Sequence, residues 1–148
     1  MTNRTKIETI QHAGQLVQNG YHCSEAMVIS LGEYYFEKVP DEWIKIANPF
    51  AGGIASTQQE VCGALSGGAM VIGLLYGRTS QDQNDETCLR LTQEYRGAFI
   101  QKFVHAHCGD LQEEKYGSTP GHTPCSALVS DAAALLIELL KADQASKA

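Results

Sequence analysis

The segment of residues 58–75 is almost entirely apolar or small, and it constrains the fold of this 148-residue chain more than any other feature. A helix without a polar face is usually buried on all sides, so the segment predicts a central helix surrounded by others. Thr57, followed three residues later by Glu60, matches a capping box and predicts a helix start at Gln58. The glycines of the segment, among them Gly63 and Gly67, leave room for close packing or for a bulky group.

The other periodic segments are amphipathic and helical. Apolar residues recur at helical spacing over residues 4–18, 23–35, 85–103 and 124–142, and a short helix surrounds Trp43. No segment shows a convincing strand pattern. The sequence therefore predicts an all-α, single-domain helical bundle (1–148) of about five main helices around a central Gly-rich apolar helix. Residues 143–148 are expected to be a frayed polar tail.

Composition and charge exclude several classes of protein. The chain is 43% apolar and 19% charged, as is usual for a soluble globular protein. The chain has 11 basic and 17 acidic residues, and the basic ones are not clustered. No nucleic-acid-binding surface is therefore expected. Glycines and serines interrupt the longest apolar stretch, so no membrane insertion is expected. The first twenty residues lack the apolar core of a signal peptide, which predicts a cytoplasmic location.

The five cysteines are the residues that most clearly point to redox or metal chemistry. They are Cys23, Cys62, Cys88, Cys108 and Cys125. In a reducing compartment, several cysteines favour metal or redox chemistry over structural disulfides. Their odd number also argues against a fully paired set of disulfides. Cys23 and Cys125 fall near predicted helix starts, where backbone N–H groups and the helix dipole stabilise a thiolate.

The expected environments of the cysteines differ. Cys125 follows Thr123 (predicted N-cap) and Pro124, so it should be the second helical residue and among the most acidic thiols. Cys62 should lie one turn inside its helix, and Cys108 at a junction between helix and loop. Cys88 shares the apolar stripe of its helix and is interpreted as a buried structural thiol.

We therefore expect Cys23, Cys62, Cys108 and Cys125 to bring at least three sulfurs together, while Cys88 stays apart. Two hypotheses remain open for these four residues. They are the catalytic thiols of a redox protein, or they are the ligands of an iron–sulfur cluster or a zinc ion. Their separations of 39, 46 and 17 residues are unlike zinc-ribbon knuckles, so zinc is the less favoured metal. A third hypothesis is a structural helical assembly protein.

The order of these motifs resembles the C_GCAxxG_C_C family of redox-active proteins. The matching segments are Gly20-Tyr21-His22-Cys23-Ser24-Glu25-Ala26, Gly52-Gly53, Cys62-Gly63-Ala64-Leu65-Ser66-Gly67, Phe99 and Phe103 before Cys108, and Cys125-Ser126-Ala127-Leu128-Val129. One departure is that Val61, rather than glycine, precedes Cys62. The resemblance covers about residues 5–140 and extends distantly to the iron–sulfur domain of split-Soret cytochrome c.

The resemblance implies a redox function that uses the four cysteines, and it implies no particular reaction. Gly63, Gly67 and His122 are the expected cofactor-binding neighbours, since His122 precedes Cys125 by three residues. The remaining expectations are an unidentified redox partner and self-association as a homodimer, the latter because apolar and aromatic residues are numerous near the central helix.

Overall fold

The computed structural model describes residues 4–147, and these residues form an all-α fold. Its helices are α1 (Lys6–Gln18), α2 (Cys23–Tyr35), α3 (Asp41–Ala47), α4 (Gly63–Tyr76), α5 (Glu86–Phe103), α6 (Cys108–Glu114) and α7 (Cys125–Ser146). A 3-10 turn, Asn48–Phe50, follows α3. Within the described residues there are isolated bridges but no strands. The predicted all-α class is confirmed, with five main helices and two short ones. Residues 1–3 and 148 of the predicted domain lie outside the described part.

Helix α4 is the central helix, and it packs against α2, α5 and α7. Its glycines permit this close packing. A Cβ added at Gly67 would lie 2.8 Å from the Ser24 carbonyl oxygen of α2, and one at Gly68 would collide with the ring of Tyr95 in α5. The Tyr95 hydroxyl in turn donates a hydrogen bond to the Ala64 carbonyl, 2.9 Å away. The predicted burial therefore holds for the first half of α4.

The last turn of α4 is less buried than its sequence predicts. Residues 73–76 are only partly buried, and a Cβ added at Gly73 would meet no atom within 4 Å. Val71 and Ile72, just before this segment, are fully buried. An apolar sequence is thus not sufficient to enclose the last turn of the helix.

The predicted start of α4 at Gln58 is wrong. The helix begins at Gly63, and Thr57 and Glu60 do not form a capping box. The Thr57 hydroxyl instead bonds the carbonyl oxygens of Gly53 and Ile54, both at 2.8 Å. Residues 58–62 are not helical, and Gln58 has a φ of 61°. Their backbone groups instead bond to residues 106–109.

The last helix starts and ends differently from its prediction. Pro124 is the N-cap of α7, so Cys125 is the first helical residue and not the second. The segment expected to fray is helical as far as Ser146. Arg90 of α5 donates to the Asp143 carboxylate at 2.9 Å, which ties this end of α7 to the bundle. No described helix is both long and apolar enough to cross a membrane.

Candidate functional site

Four of the five cysteines line one cavity of about 190 Å³. These are Cys23, Cys62, Cys108 and Cys125, the four that the sequence singles out. Cys88 is not among the lining residues and lies half-buried against the core, so its predicted separation is confirmed while its full burial is not. The tertiary structure thus brings together thiols that are far apart in the chain.

Each of these four cysteines stands at the beginning of a helix. Cys23 is the first residue of α2, Cys108 of α6 and Cys125 of α7, while Cys62 is the N-cap of α4. The expectation that Cys62 lies one turn inside its helix is therefore wrong, because α4 starts later than predicted. The convergence of four chain segments on the cavity follows from where these helices begin.

Cys62 and Cys108 are held beside each other by backbone pairing. The Cys62 N–H donates to the Ala106 carbonyl at 2.8 Å, and the Cys108 N–H donates to the Glu60 carbonyl at 2.9 Å. The bridge between Val61 and His107 lies between these two bonds. Because backbone bonds fix both residues, the two thiols share one rigid frame.

A left-handed loop forms one wall of the cavity. Residues 52–56 all have positive φ, between 53° and 71°, and the run includes the β-branched Ile54 at 67°. Such values are rare outside glycine and are exceptional for a β-branched residue. Gly52 and Ser56 line the cavity. Gly53 makes the close approach to α6, because a Cβ at this position would lie 2.7 Å from the Cys108 Cβ.

Burial raises the pKa of three cavity thiols. The shift is upward for Cys62 and Cys108, and it takes the pKa of Cys125 to about 11. Desolvation disfavours the thiolate and is the largest cause in each case. The prediction that Cys125 is among the most acidic thiols is therefore wrong, because burial outweighs the effect of its helix start.

The charge of Cys23 acts on all three of the other cavity thiols. A Cys23 thiolate raises the pKa of Cys62, Cys108 and Cys125 through like-charge repulsion, which adds to the effect of burial. Its sulfur also lies directly against α4, since a Cβ added at Gly63 would collide with the Cys23 Sγ. Cys23 thus interacts electrostatically with every other thiol of the site.

Hydrogen-bond donors lower the pKa of two of these thiols and so partly oppose the effect of burial. The backbone N–H groups of Ala64 and Leu65 lower the pKa of Cys62, and the Gln112 side chain lowers that of Cys108. Gln112 Nε2 donates to the Cys108 Sγ at 3.3 Å and also lines the cavity. Sequence reasoning missed Gln112 because it missed α6, in which these two residues are four apart on one face.

The predicted cofactor-binding residues occupy different places. Gly63 lies at the site, against the Cys23 sulfur, whereas Gly67 faces α2. His122 is half-buried, and its Nδ1–H donates to the Tyr116 carbonyl at 3.1 Å. Tyr116 itself lines the cavity, so His122 contacts a lining residue without being one of those that line the cavity. The cofactor-binding roles of these residues stay predictions.

The metal-ligand hypothesis concerns the same four cysteines. Within residues 4–147, no group of three or more His, Cys, Asp or Glu side chains is arranged to hold a metal ion. The thiols as placed therefore line a common cavity without forming a coordination sphere.

The comparisons with known proteins identify one family. Its description is "Putative redox-active protein (C_GCAxxG_C_C)", and it matches residues 21–139. This range contains all four cavity cysteines and most of the bundle. No curated protein and no solved structure gives a significant match. Since the match covers most of the sequence, the chain belongs to the C_GCAxxG_C_C family.

Proposed function

We propose that this protein performs thiol–disulfide exchange in the cavity, acting as an oxidoreductase on a redox partner. The observation that carries the proposal is that four cysteines from four segments line one cavity of about 190 Å³. Their family is described as redox-active, which supports the same class of chemistry. The attacking thiol in this proposal is Cys23, and the resolving thiol is Cys62.

Access and charge support Cys23 as the attacking thiol. The thiolate is the nucleophile in disulfide exchange, and it must reach the disulfide sulfur. Cys23 is only partly buried, whereas Cys62 is 7% exposed. Once Cys23 carries the negative charge, it raises the pKa of its three neighbours. A negative charge at Cys23 therefore disfavours ionisation of the other three thiols.

The same electrostatics supports Cys62 as the resolving thiol. Formation of a mixed disulfide removes the negative charge of Cys23, so the pKa of Cys62 falls at that moment. The N–H groups of Ala64 and Leu65 then favour the Cys62 thiolate. The Cys23 sulfur already lies against Gly63, the neighbour of Cys62 in the chain. The first step thus favours resolution by lowering the pKa of Cys62, although burial, the larger cause of its raised pKa, remains.

The proposed reaction is balanced in two steps. The Cys23 thiolate attacks a disulfide of the partner, forms a new S–S bond and releases one partner thiol. The Cys62 thiolate then attacks the Cys23 sulfur, breaks the mixed disulfide and releases the second partner thiol. Two electrons and two protons pass from the protein to its partner, and the protein keeps an intramolecular disulfide.

A redox titration tests this proposal. Reduced, anaerobically purified protein is equilibrated with mixtures of reduced and oxidised dithiothreitol, quenched with acid, alkylated and mapped by mass spectrometry. We expect one reversible two-electron transition that links Cys23 to Cys62. C62S and C23S should both lose this transition, because the second thiol of dithiothreitol cyclises and releases any mixed disulfide. With an excess of the disulfide of a monothiol such as 2-mercaptoethanol, which cannot cyclise, C62S should instead retain a mixed disulfide on Cys23. C88S is the matched control and should titrate like the wild type, because Cys88 lies outside the cavity.

The iron–sulfur hypothesis makes a different prediction for the same sample. Visible absorption and a stoichiometric iron content, both lost in C23S and C62S, would replace thiol exchange with cluster chemistry. Absence of a reversible transition in the four cavity cysteines would also refute the proposal. A cytoplasmic location, a single-domain organisation and a homodimer remain further proposals, and gel filtration with light scattering tests the last of these.

A further inference from the structure

Thiol–disulfide exchange in the cavity requires a proton for each thiol that leaves. An alkyl thiol departs slowly as the anion, because the rate of exchange falls as the leaving thiol becomes more basic. Among the described residues that line the cavity there is no Lys, Arg, Asp or Glu. The lining side chains that carry a transferable proton are the four thiols, Tyr21, Tyr116 and His22. A proton donor within the cavity wall must therefore be one of these groups.

An imidazole suits this role better than a thiol or a phenol. An efficient general acid titrates near the operating pH. Histidine is the side chain that ordinarily titrates between about pH 5 and pH 8, whereas a phenol ordinarily keeps its proton up to about pH 10. Burial raises the pKa of Cys62, Cys108 and Cys125, so these thiols are weak acids. His22 is thus the lining residue best able to give up a proton and regain it.

The start of α2 brings His22 and Cys23 to the same cavity. His22 is the N-cap, with an extended φ of −77° and ψ of 161°, and Cys23 is the first helical residue. The chain changes from extended to helical between them, and both residues line the cavity. The buried Glu25 carboxylate accepts hydrogen bonds from the His22 backbone N–H at 2.9 Å and from Asn48 Nδ2 at 3.1 Å. These bonds fix the backbone from which the imidazole projects.

His22 lies on the open side of the cavity. It is exposed, whereas Cys23 is partly buried and Cys62 is buried. A thiolate attacks a disulfide in line, so the leaving sulfur lies on the side away from the attacking one. A disulfide that reaches Cys23 from solvent therefore has its leaving sulfur towards the mouth of the cavity, where His22 is placed.

We infer that His22 is a catalytic residue of the exchange and acts as the general acid that protonates the first leaving thiol. This inference rests on the proposed thiol–disulfide exchange. The Cys23 thiolate forms a bond to one sulfur of R–S–S–R, and the electron pair of the broken S–S bond leaves with the other sulfur. The imidazolium of His22 gives its proton to that sulfur, which departs as R–SH. The neutral imidazole then regains a proton, which balances the one that Cys23 released when it ionised.

Two neutral disulfides that differ in their leaving group test this role. The disulfide of 2-mercaptoethanol releases a basic alkyl thiolate, whereas dithiodipyridine releases a stabilised anion that departs without a proton on sulfur. A C62S background stops the reaction at the mixed disulfide on Cys23. The rate at Cys23 is measured near neutral pH by peptide mass spectrometry. It is divided by the rate with iodoacetamide, which also requires the Cys23 thiolate but releases no thiol.

The variant His22→Asn removes the imidazole and keeps the helix start, because asparagine is a favoured N-cap. We expect the normalised rate with the 2-mercaptoethanol disulfide to fall about tenfold or more, since a positioned general acid contributes a factor of at least that order. The normalised rate with dithiodipyridine should stay as in the parent, because its leaving group needs no acid. His12 lies outside the cavity, so His12→Asn is the matched control and should change neither rate.

The outcomes separate this inference from the proposed function. An unchanged alkyl-disulfide rate in H22N, or an equal loss with both probes, would overturn the inference, and the Cys23–Cys62 exchange would still stand. A selective loss in Tyr21→Phe instead of H22N would also overturn it, since the phenol would then be the donor. If the dithiothreitol titration fails to link Cys23 to Cys62, the proposed function itself is wrong.

Discussion

Cys23 shows how the charge of a single residue can influence the ionisation of its neighbours. Its thiolate charge raises the pKa of Cys62, Cys108 and Cys125, in addition to the effect of burial. The other thiols are then poor nucleophiles while Cys23 is charged, because the thiolate is the reactive form. Removal of that charge, by substitution or by formation of a mixed disulfide, should make the neighbouring thiols more acidic.

Substitution of Cys23 tests this coupling at the residue scale. In C23S, the pKa of Cys125 should fall below its value of about 11, because the like charge is absent. It should stay above the ordinary thiol value of 9.0, since burial is the larger cause. The measurement is the rate of Cys125 alkylation against pH, read by peptide mass spectrometry. C88S should leave the curve unshifted, and an identical curve in C23S would show that the two thiols are not coupled.

The left-handed loop of residues 52–56 is the element that departs most from ordinary backbone geometry. A left-handed conformation costs about 1–2 kcal/mol for each residue other than glycine. Ile54, Ala55 and Ser56 all adopt it. The loop is held by backbone bonds, such as that from the Ser56 N–H to the Ala51 carbonyl at 2.8 Å. Strain of this kind persists only where surrounding contacts determine it, and it is concentrated at functional sites.

A pair of alanine-to-glycine changes tests this strain at the element scale. Ala55 is exposed and has a φ of 53°, so A55G should stabilise the protein by about 0.5–1 kcal/mol. Ala142 is exposed within α7, so the same change there should destabilise by about 0.5–1 kcal/mol. Urea unfolding gives both free energies. Destabilisation by A55G as large as that by A142G would mean that the loop is unstrained in solution.

At the scale of the whole molecule, buried ionisable groups make stability depend on alkaline pH. The folded state raises the pKa of Cys62, Cys108, Cys125 and Tyr95, mainly by burial. Above the ordinary thiol value of 9.0, the folded state therefore binds more protons than the unfolded chain. Stability falls with rising pH wherever the folded state binds more protons, so the bundle should weaken progressively above about pH 9.

The variant C125S isolates one thiol in this behaviour. For wild-type protein, Cys125 should reduce the free energy of unfolding by up to about 1.4 kcal/mol per pH unit between its unfolded and folded pKa values. This window runs from 9.0 to about 11. Serine does not titrate there, so the stability difference between wild type and C125S should be constant below pH 9 and change in favour of C125S above it. A difference that is constant up to pH 11 would contradict the raised pKa.

The sequence by itself determined the helical class, the central apolar segment and the four cysteines of the site. Apolar spacing determines the helices, because a helix with one apolar face must bury that face against others. The four cysteines were singled out by predicted helix starts and by the family pattern. Leu91, Tyr95 and Phe99 of the apolar stripe of α5 are fully buried as their spacing predicts, whereas Cys88 in the same stripe is only half-buried. The local sequence pattern was sufficient to predict burial wherever a residue's burial depends on the face of its own helix.

Only the tertiary structure decided how the thiols are placed and how acidic they are. Residues 58–62 leave the helix because they pair with residues 106–109, a contact that no local pattern encodes. The same pairing makes Cys62 an N-cap and places it beside Cys108. The pKa of Cys125 rises because other helices cover it, although its own helix start favours the thiolate. Desolvation is a property of the assembled bundle, and it outweighs the local dipole that the sequence reveals.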